Sequence, residues 1–198
     1  QWNIQKIQAE EALENIVDNG ANSEVVVAVI DSGINYNHPD LQNQMWNSSD
    51  CKDEDNVSIG NCNYGYDYRN DDISPLDDYG HGTHVAGIIA AEYNNTEGVM
   101  GVAPSARLMS VKVTNSSGVG SSLDIVKGIQ FAENNGADIL NLSIGLDTYD
   151  HCSEYNTALY EAIQNFDGMV IVAAGNDSEN LTTNNISEPN IYGHDTDC

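Results

Sequence analysis

Asp31 and His81 each carry an ionisable side chain and lie at one end of an apolar segment of this sequence. His81 lies in Gly-His-Gly-Thr-His-Val-Ala-Gly (residues 80–87), which predicts a histidine in the first turn of a buried helix. The glycine on either side of His81 predicts a close approach of the backbone to a neighbouring segment. Asp31 ends the apolar, mostly β-branched run 25–30, which is typical of a parallel strand buried on both faces. Histidine is the side chain best suited to moving protons near neutral pH. A capping role at a helix or turn would explain either residue alone. Whether the two residues act together depends on where the other elements of the fold place them.

The rest of the chain alternates between strand and helix patterns. An amphipathic helix is predicted over 2–16, and further apolar strands near 107–113, 137–142 and 169–174 alternate with helices after residues 80, 120 and 154. Residues 40–79 form a polar insertion with an irregular backbone. This order predicts an α/β fold with a doubly wound, mostly parallel sheet and helices on both faces. Asp31, Ser143 and Asn176 would then end strands at one edge, where His81 begins its helix.

The charge of the chain excludes several partners. The formal charge is −25, from 31 acidic and 6 basic residues, which argues against nucleic acid and anionic membranes as partners. No apolar run is long enough for a membrane span. The charge favours cations, calcium in particular, although it is also explained by a surface that only needs to stay solvated. Many acidic residues cluster between positions 50 and 78, and closely spaced carboxylates and amides supply the oxygens that calcium requires.

The four cysteines indicate two disulfides and an oxidising compartment, so a secreted protein is expected. No signal peptide is visible, which agrees with a mature form. Cys51 and Cys62 could close a loop within the insertion, but four cysteines allow three pairings. The simplest is Cys51–Cys62 with Cys152–Cys198, and a bond from Cys198 to a segment outside this chain stays open.

Five segments resemble those of the subtilisin-like serine proteases, in order and over nearly the whole chain. They are Val-Ala-Val-Ile-Asp-Ser-Gly (27–33) with His-Pro-Asp-Leu (38–41), the histidine segment 80–87, Gly-Val-Ala-Pro (101–104), Asn-Leu-Ser-Ile-Gly (141–145) and Ala-Ala-Gly-Asn (173–176). The resemblance implies a serine endopeptidase in which His81 is the general base and later the general acid. Asp31 would fix the tautomer of His81, and Asn176 would donate to the oxyanion.

The resemblance also implies where a peptide substrate binds. The substrate would pair as an added strand between two edge strands, and the residues next to the oxyanion asparagine complete the set. The implied substrate-binding residues are Gly118, Val119, Gly120, Ser143, Ile144, Gly145, Ala174 and Gly175. His38 and His84 are expected to be structural, and Ser32 is expected to be only a neighbour of the site.

Two calcium sites follow from the same resemblance. The first would use the side chains of Asp40 and Asn95 with the backbone carbonyls of Tyr93, Glu97 and Val99. The second would lie in the loop Gly-Tyr-Asp-Tyr-Arg-Asn-Asp-Asp-Ile-Ser-Pro (65–75), which resembles a calcium loop of thermitase-like members. Its expected ligands are Asp67 and Asp72.

The nucleophilic serine that the family requires is missing from this sequence. The family carries it in a Gly-Thr-Ser-Met-Ala segment, and neither that segment nor a Gly-x-Ser-x-Gly turn occurs here. The chain is therefore expected to be the N-terminal portion of one catalytic domain (residues 1–198), with the serine on a separate C-terminal chain of a nicked protease. The alternatives are a non-catalytic fragment or pseudoenzyme and a calcium-dependent binding module. A propeptide or a protein inhibitor is a further partner that the resemblance allows.

Overall fold

The apolar run that precedes Asp31 forms the central strand of a five-stranded parallel sheet in the computed structural model. The structure describes residues 1–18, 24–145, 154–174 and 176. In chain order its helices and strands are α1 (Trp2–Lys6), α2 (Ala9–Asp18), β1 (Val26–Asp31), the 3-10 turn Gln42–Gln44, β2 (Asn47–Lys52), β3 (Ser58–Asn63), β4 (Gly65–Asp67), α3 (His81–Ala90), β5 (Arg107–Lys112), α4 (Ser122–Asn134), β6 (Ile139–Leu142), α5 (Glu154–Asn165) and β7 (Met169–Val172).

The sheet has the order β4-β5-β1-β6-β7, and every pairing in it is parallel. The strand order reverses at β1, because β5 lies on one side of it and β6 on the other. In such sheets the crevice for a ligand opens at the carboxyl ends of the strands beside that reversal. The predicted α/β fold is confirmed, and Asp31 lies at this crevice.

Alternate residues of β1 divide the core into two layers. Val27 and Val29 pack against α3 on one face of the sheet. Ala28 and Ile30 pack against α4 and α5 on the other face. This alternation is the two-residue period of a strand, and helices cover both faces as predicted. None of the helices in the described residues has the length and apolar character that crossing a membrane requires.

The prediction of one continuous N-terminal helix over residues 2–16 is wrong. The structure has two helices with a break at Ile7 and Gln8, where Gln8 has a φ of 57°. Ile4 and Ala9 are both buried, whereas Ile7 is exposed. One straight helix would place Ile4 and Ala9 about 140° apart around its axis, so the break allows both to reach the core.

The insertion 40–79 is more ordered than its composition predicts. β2 and β3 form an antiparallel hairpin within it, and β4 adds an edge strand to the main sheet. The hairpin is held by the Cys51–Cys62 disulfide, which confirms that part of the predicted pairing, while Cys152 and Cys198 lie outside the described residues. Asn135 also docks the hairpin on α4, because its side chain exchanges two hydrogen bonds with the backbone of Lys52.

Candidate active site

Asp31 and His81 are in direct contact at the carboxyl edge of the sheet. Nδ1 of His81 lies 2.8 Å from Oδ1 and 2.9 Å from Oδ2 of Asp31. Because a carboxylate can only accept a hydrogen bond, Nδ1 of the neutral ring carries the proton and Nε2 offers a lone pair. The Asp31 side chain is 2% exposed, whereas that of His81 is 44% exposed. The buried Asp31 thus orients the imidazole ring of His81, and the ring itself is accessible to solvent.

The two glycines that flank His81 explain how the helix reaches Asp31. Gly80 precedes α3 with a φ of 101°, which is a left-handed conformation that side chains disfavour. A Cβ at Gly82 would lie only 2.1 Å from the carbonyl oxygen of Gly33, just beyond the end of β1. The close approach predicted from the sequence is therefore a contact between the first turn of α3 and the end of β1.

The first turn of α3 is capped by side chains from outside the helix. Gly80 has no side chain to cap it, although the first amide groups of any helix need external acceptors. Ser32 Oγ accepts from Gly82 N at 3.0 Å, and Asp77 Oδ2 accepts from Thr83 N at 3.0 Å. Ser32 Oγ also donates to Asp77 Oδ1 at 2.9 Å.

Sequence reasoning missed Asp77, because it was one of many acidic residues in the insertion. An aspartate shortly before a helix that begins after glycine is the signal that could have singled it out. Burial raises the pKa of Asp77, but hydrogen bonds from Thr83, Gly80 and Tyr79 outweigh it, so the pKa lies below its ordinary value. The carboxylate is therefore charged at neutral pH.

Sequence reasoning also missed the buried lysine at the end of β5. Lys112 is 1% exposed and pairs in register with Asp31 on β1. Its Nζ donates to Ser32 O at 2.8 Å, to Thr114 O at 3.0 Å and to Asp78 Oδ1 at 2.5 Å. The only signal in the sequence was a lysine directly after the apolar residues of the strand, which is also charged at its first residue, Arg107. Lys112 joins the end of β1, the loop after β5 and the segment before His81.

Of the predicted substrate-binding residues, those in the described part of the chain follow β5, β6 and β7 and do not form the expected strands. Gly118, Val119 and Gly120 belong to a turn that is closed by an isolated bridge between Thr114 and Gly120. A Cβ at Gly118 would lie 2.9 Å from the ring of Tyr79, so this turn packs beside the segment that leads to His81. The backbone of this turn is bonded within itself, because Gly118 N donates to Asn115 O at 2.9 Å and Val119 O accepts from Asn115 N at 2.9 Å.

The second predicted substrate segment and the asparagine predicted to bind the oxyanion follow β6 and β7. Ser143, Ile144 and Gly145 come directly after β6, and Ser143 Oγ accepts from Asn141 Nδ2 at 2.8 Å. Ala174 and Asn176 follow β7, and both are exposed. Gly175 lies outside the described residues. The topology therefore leads both segments to the edge where Asp31 meets His81.

A model of the Subtilase family matches residues 22–194, which is most of the chain. The chain belongs to the subtilase family. It is 36% identical over 168 residues to the thermophilic serine proteinase of Bacillus sp. (strain AK1), a match that covers 83% of this chain and 36% of the relative. It is 34% identical over 179 residues to thermitase of Thermoactinomyces vulgaris, covering 89% of this chain and 54% of thermitase.

Two further comparisons agree. Subtilisin Savinase of Lederbergia lenta is 38% identical over 193 residues, which is 98% of this chain and 60% of that protein. The crystal structure of a cold adapted subtilisin-like serine proteinase aligns with a TM-score of 0.55 and 29% identity, covering 77% of this chain and 46% of the other. This subtilase chain thus spans between about a third and three fifths of the lengths of the relatives named here.

The first candidate calcium site of the subtilase chain is a loop folded around a buried carboxylate. Asp40 is 2% exposed, and its oxygens accept from Asn95 Nδ2 at 2.7 Å and from Val99 N at 2.9 Å. A Cβ at Gly98 would lie 2.3 Å from Asp40 Oδ2, so the backbone wraps the carboxylate closely. No basic side chain of the described residues forms an ion pair with Asp40. A buried carboxylate without a positive partner fits a cation.

The second candidate loop surrounds Asp67 at the end of β4. Asp67 is 1% exposed and accepts from Arg69 N at 2.7 Å and from Asn70 Nδ2 at 2.7 Å. The backbone of Asp72 pairs with that of Asp67, while the Asp72 carboxylate accepts from Ser74 N at 2.7 Å. In the described residues no three His, Cys, Asp or Glu side chains converge as a metal site. Amide and backbone oxygens would have to complete either shell.

Proposed function

We propose that this subtilase chain is the N-terminal part of a serine endopeptidase that supplies Asp31, His81 and Asn176, while the nucleophilic serine lies on a separate C-terminal chain. The observation that carries the proposal is the contact of His81 Nδ1 with both oxygens of the buried Asp31. Family membership makes the serine peptidase reaction the expected chemistry.

His81 acts first as a general base in this proposal. With the proton on Nδ1 held by Asp31, Nε2 accepts the proton of the serine hydroxyl as that oxygen attacks the peptide carbonyl. The imidazolium then gives the Nε2 proton to the leaving amine. Asp31 is buried, so its charge acts on the imidazolium through a medium of low polarity rather than through water.

The substrate and the oxyanion occupy the segments at the same edge. We place an extended peptide between residues 118–120, in the turn beside Tyr79, and residues 143–145, which follow β6. Asn176 would donate its side-chain amide to the oxyanion, with Ala174 and Gly175 beside the substrate. Losing one such donor costs about 10²–10³-fold in kcat, a value that was measured in a subtilisin and is adopted here.

An exposed apolar face supports the proposal that a second chain completes the domain. Val170 and Val172 of β7 pack on the α4 side of the sheet, whereas Met169 and Ile171, which alternate with them, are 58% and 47% exposed. These two residues are on the face that carries α3, whose Ile88 is 50% exposed. Apolar side chains exposed beside the helix of His81 suit a partner segment of the same domain.

The two-chain proposal is tested by mass and by labelling. Intact mass of the natural protein, measured without and with reduction, should show a second polypeptide. A serine-directed fluorophosphonate should label that polypeptide and leave this chain unlabelled. A well-folded sample with no second polypeptide and no label favours the non-catalytic fragment, and a label on this chain overturns the assigned roles.

We also propose that Ca²⁺ binds both acidic loops. At the first loop Asp40 and Asn95 would contribute side-chain oxygens, and Tyr93, Glu97 and Val99 backbone carbonyls. At the second, Asp67 and Asp72 would contribute carboxylates. The ion would neutralise buried acid and fix the loops, without a part in the reaction. The Cys51–Cys62 disulfide supports the further proposal that the protein works outside the cell.

A further inference from the structure

The Asp77 carboxylate accepts five hydrogen bonds in the segment that leads to His81. Oδ1 accepts from Ser32 Oγ at 2.9 Å, Tyr79 N at 3.0 Å and Gly80 N at 2.8 Å. Oδ2 accepts from Thr83 N at 3.0 Å and Thr83 Oγ1 at 2.5 Å. One carboxylate therefore fixes the residues on both sides of His81.

The same network connects the histidine helix to the strand of Asp31. Ser32 N donates to Asp31 Oδ1 at 2.7 Å, and Ser32 Oγ joins Gly82 N to Asp77. Thr83 Oγ1 accepts from Asn35 N at 2.9 Å, which ties the helix to the chain after β1 as well. Asp77 is the member that contacts both the serine beside Asp31 and the first turn of α3.

We propose that Asp77 is a positioning residue of the catalytic pair: it holds the first turn of α3 against the end of β1, and so keeps His81 Nδ1 on Asp31. Gly80 cannot cap the helix, so without Asp77 the amide of Thr83 and those of residues 79 and 80 lose their acceptor. Two negatively charged oxygens suit this set of donors, and a neutral amide in their place would turn an NH₂ group toward them.

The consequence for catalysis rests on the proposed function. A displacement of about 1 Å between catalytic groups can lower the rate about 10²-fold, because the reacting atoms must be aligned. Asp77→Asn should therefore lower kcat by about 10- to 100-fold. KM should change less than about twofold, because Asp77 does not lie in the segments assigned to the substrate.

The direct readout is the Nδ1 proton of His81, observed by NMR in ¹⁵N-histidine-labelled protein. In the natural sequence Asp31 shields this proton from exchange with water. We expect Asp77→Asn to accelerate the exchange of the His81 Nδ1 proton at least tenfold. Thr83→Val should have a smaller effect in the same direction, because it removes at nearly constant shape the hydroxyl that donates to Asp77 and accepts from Asn35 N. Thr83→Ser, which keeps that hydroxyl, should show the natural rate.

Asp53→Asn is the matched control, because Asp53 also accepts two backbone amides, from Asp55 and Val57, but in the β2–β3 hairpin. It should leave the His81 proton unchanged. Unaltered exchange in folded Asp77→Asn, or in Thr83→Val if Asp77→Asn does not fold, would overturn the proposal. A sensitive His81 proton in a protein that hydrolyses no peptide would retain the positioning role and reject the proposed function.

Discussion

Replacing Lys112 with methionine tests whether the buried end of β5 is held by charge. Methionine keeps the length and most of the volume of the side chain while it removes the ammonium group. The change leaves the carbonyls of Ser32 and Thr114 without their donor, and both hydrogen bonds are buried. It also leaves Asp78 without its cation, although that side chain is 48% exposed and stays solvated.

The magnitude follows from these three partners. A buried acceptor left unpaired costs about 1–3 kcal/mol, so the two carbonyls together cost about 2–6 kcal/mol. The exposed Asp78 adds less than about 1 kcal/mol, since water screens it. Lys112→Met also removes the desolvation penalty of a buried ammonium group, which offsets part of this loss. We therefore expect a loss of about 3 kcal/mol in the free energy of unfolding, which for a domain of this size lowers Tm by about 6–12 °C.

The assay is urea unfolding of the purified protein, with Lys127→Met as the control. Lys127 has a single ionic partner, Glu54 Oε1 at 2.8 Å, and its side chain is 37% exposed. The same lysine-to-methionine change should cost less than about 1 kcal/mol there. If Lys112→Met destabilises the protein no more than Lys127→Met, the reasoning from the buried hydrogen bonds is refuted.

Three other predictions concern the helix, the calcium loop and acid. Gly82→Ala should destabilise the protein, because its Cβ would clash with a backbone oxygen at 2.1 Å. Gly87→Ala has open space around its Cβ and should stabilise α3 by about 0.5–1 kcal/mol, so thermal unfolding should show opposite shifts in Tm for the two variants. Chelation of calcium should accelerate unfolding of the natural protein, and Asp40→Asn should reduce that sensitivity because it removes one of the two proposed sites. Equal unfolding rates of the natural protein with and without chelator would contradict the calcium proposal. Because the folded pKa of Asp77 is lowered, its contribution is present above about pH 4 and is lost as pH falls through the folded value. The difference in unfolding free energy between the natural protein and Asp77→Asn should thus shrink below pH ~4.

The parts of this fold that the sequence predicted are those with a strong local pattern. The run before Asp31 is apolar at every position, so it could only be a buried strand. Glycines on both sides of His81 indicated a close backbone approach, and Gly82 makes that contact with Gly33. Local pattern was therefore enough to place the strand and the helix, whereas the pairing of Asp31 with His81 was predicted from the resemblance to the family.

The parts that were missed depend on contacts between distant segments. β2 and β3 are polar strands without an apolar alternation. They are held instead by the Cys51–Cys62 disulfide and by the hydrogen bonds of the Asn135 side chain. Lys112 is defined by its register opposite Asp31, and Asp77 by its place between Ser32 and the first turn of α3. Lys112 is 81 residues from Asp31 in the sequence, and Asp77 is 45 residues from Ser32, so no local pattern relates the members of either pair.

The balance of buried charge connects the two halves of the proposed function. In the described residues three aspartates are fully buried, Asp31, Asp40 and Asp67, against one buried cation, Lys112. Asp31 and Asp67 lie on the strands to either side of Lys112 and in register with it, but the Lys112 ammonium group forms its ion pair with the half-exposed Asp78. The excess negative charge favours a positive charge at two places. Under the proposed function it would be met at Asp31 when His81 takes up a proton, and at Asp40, which forms no ion pair with any described residue, we propose that a bound cation meets it. A chain with 31 acidic and 6 basic residues has few cations of its own, which is why we expect calcium rather than lysine or arginine to hold the Asp40 loop.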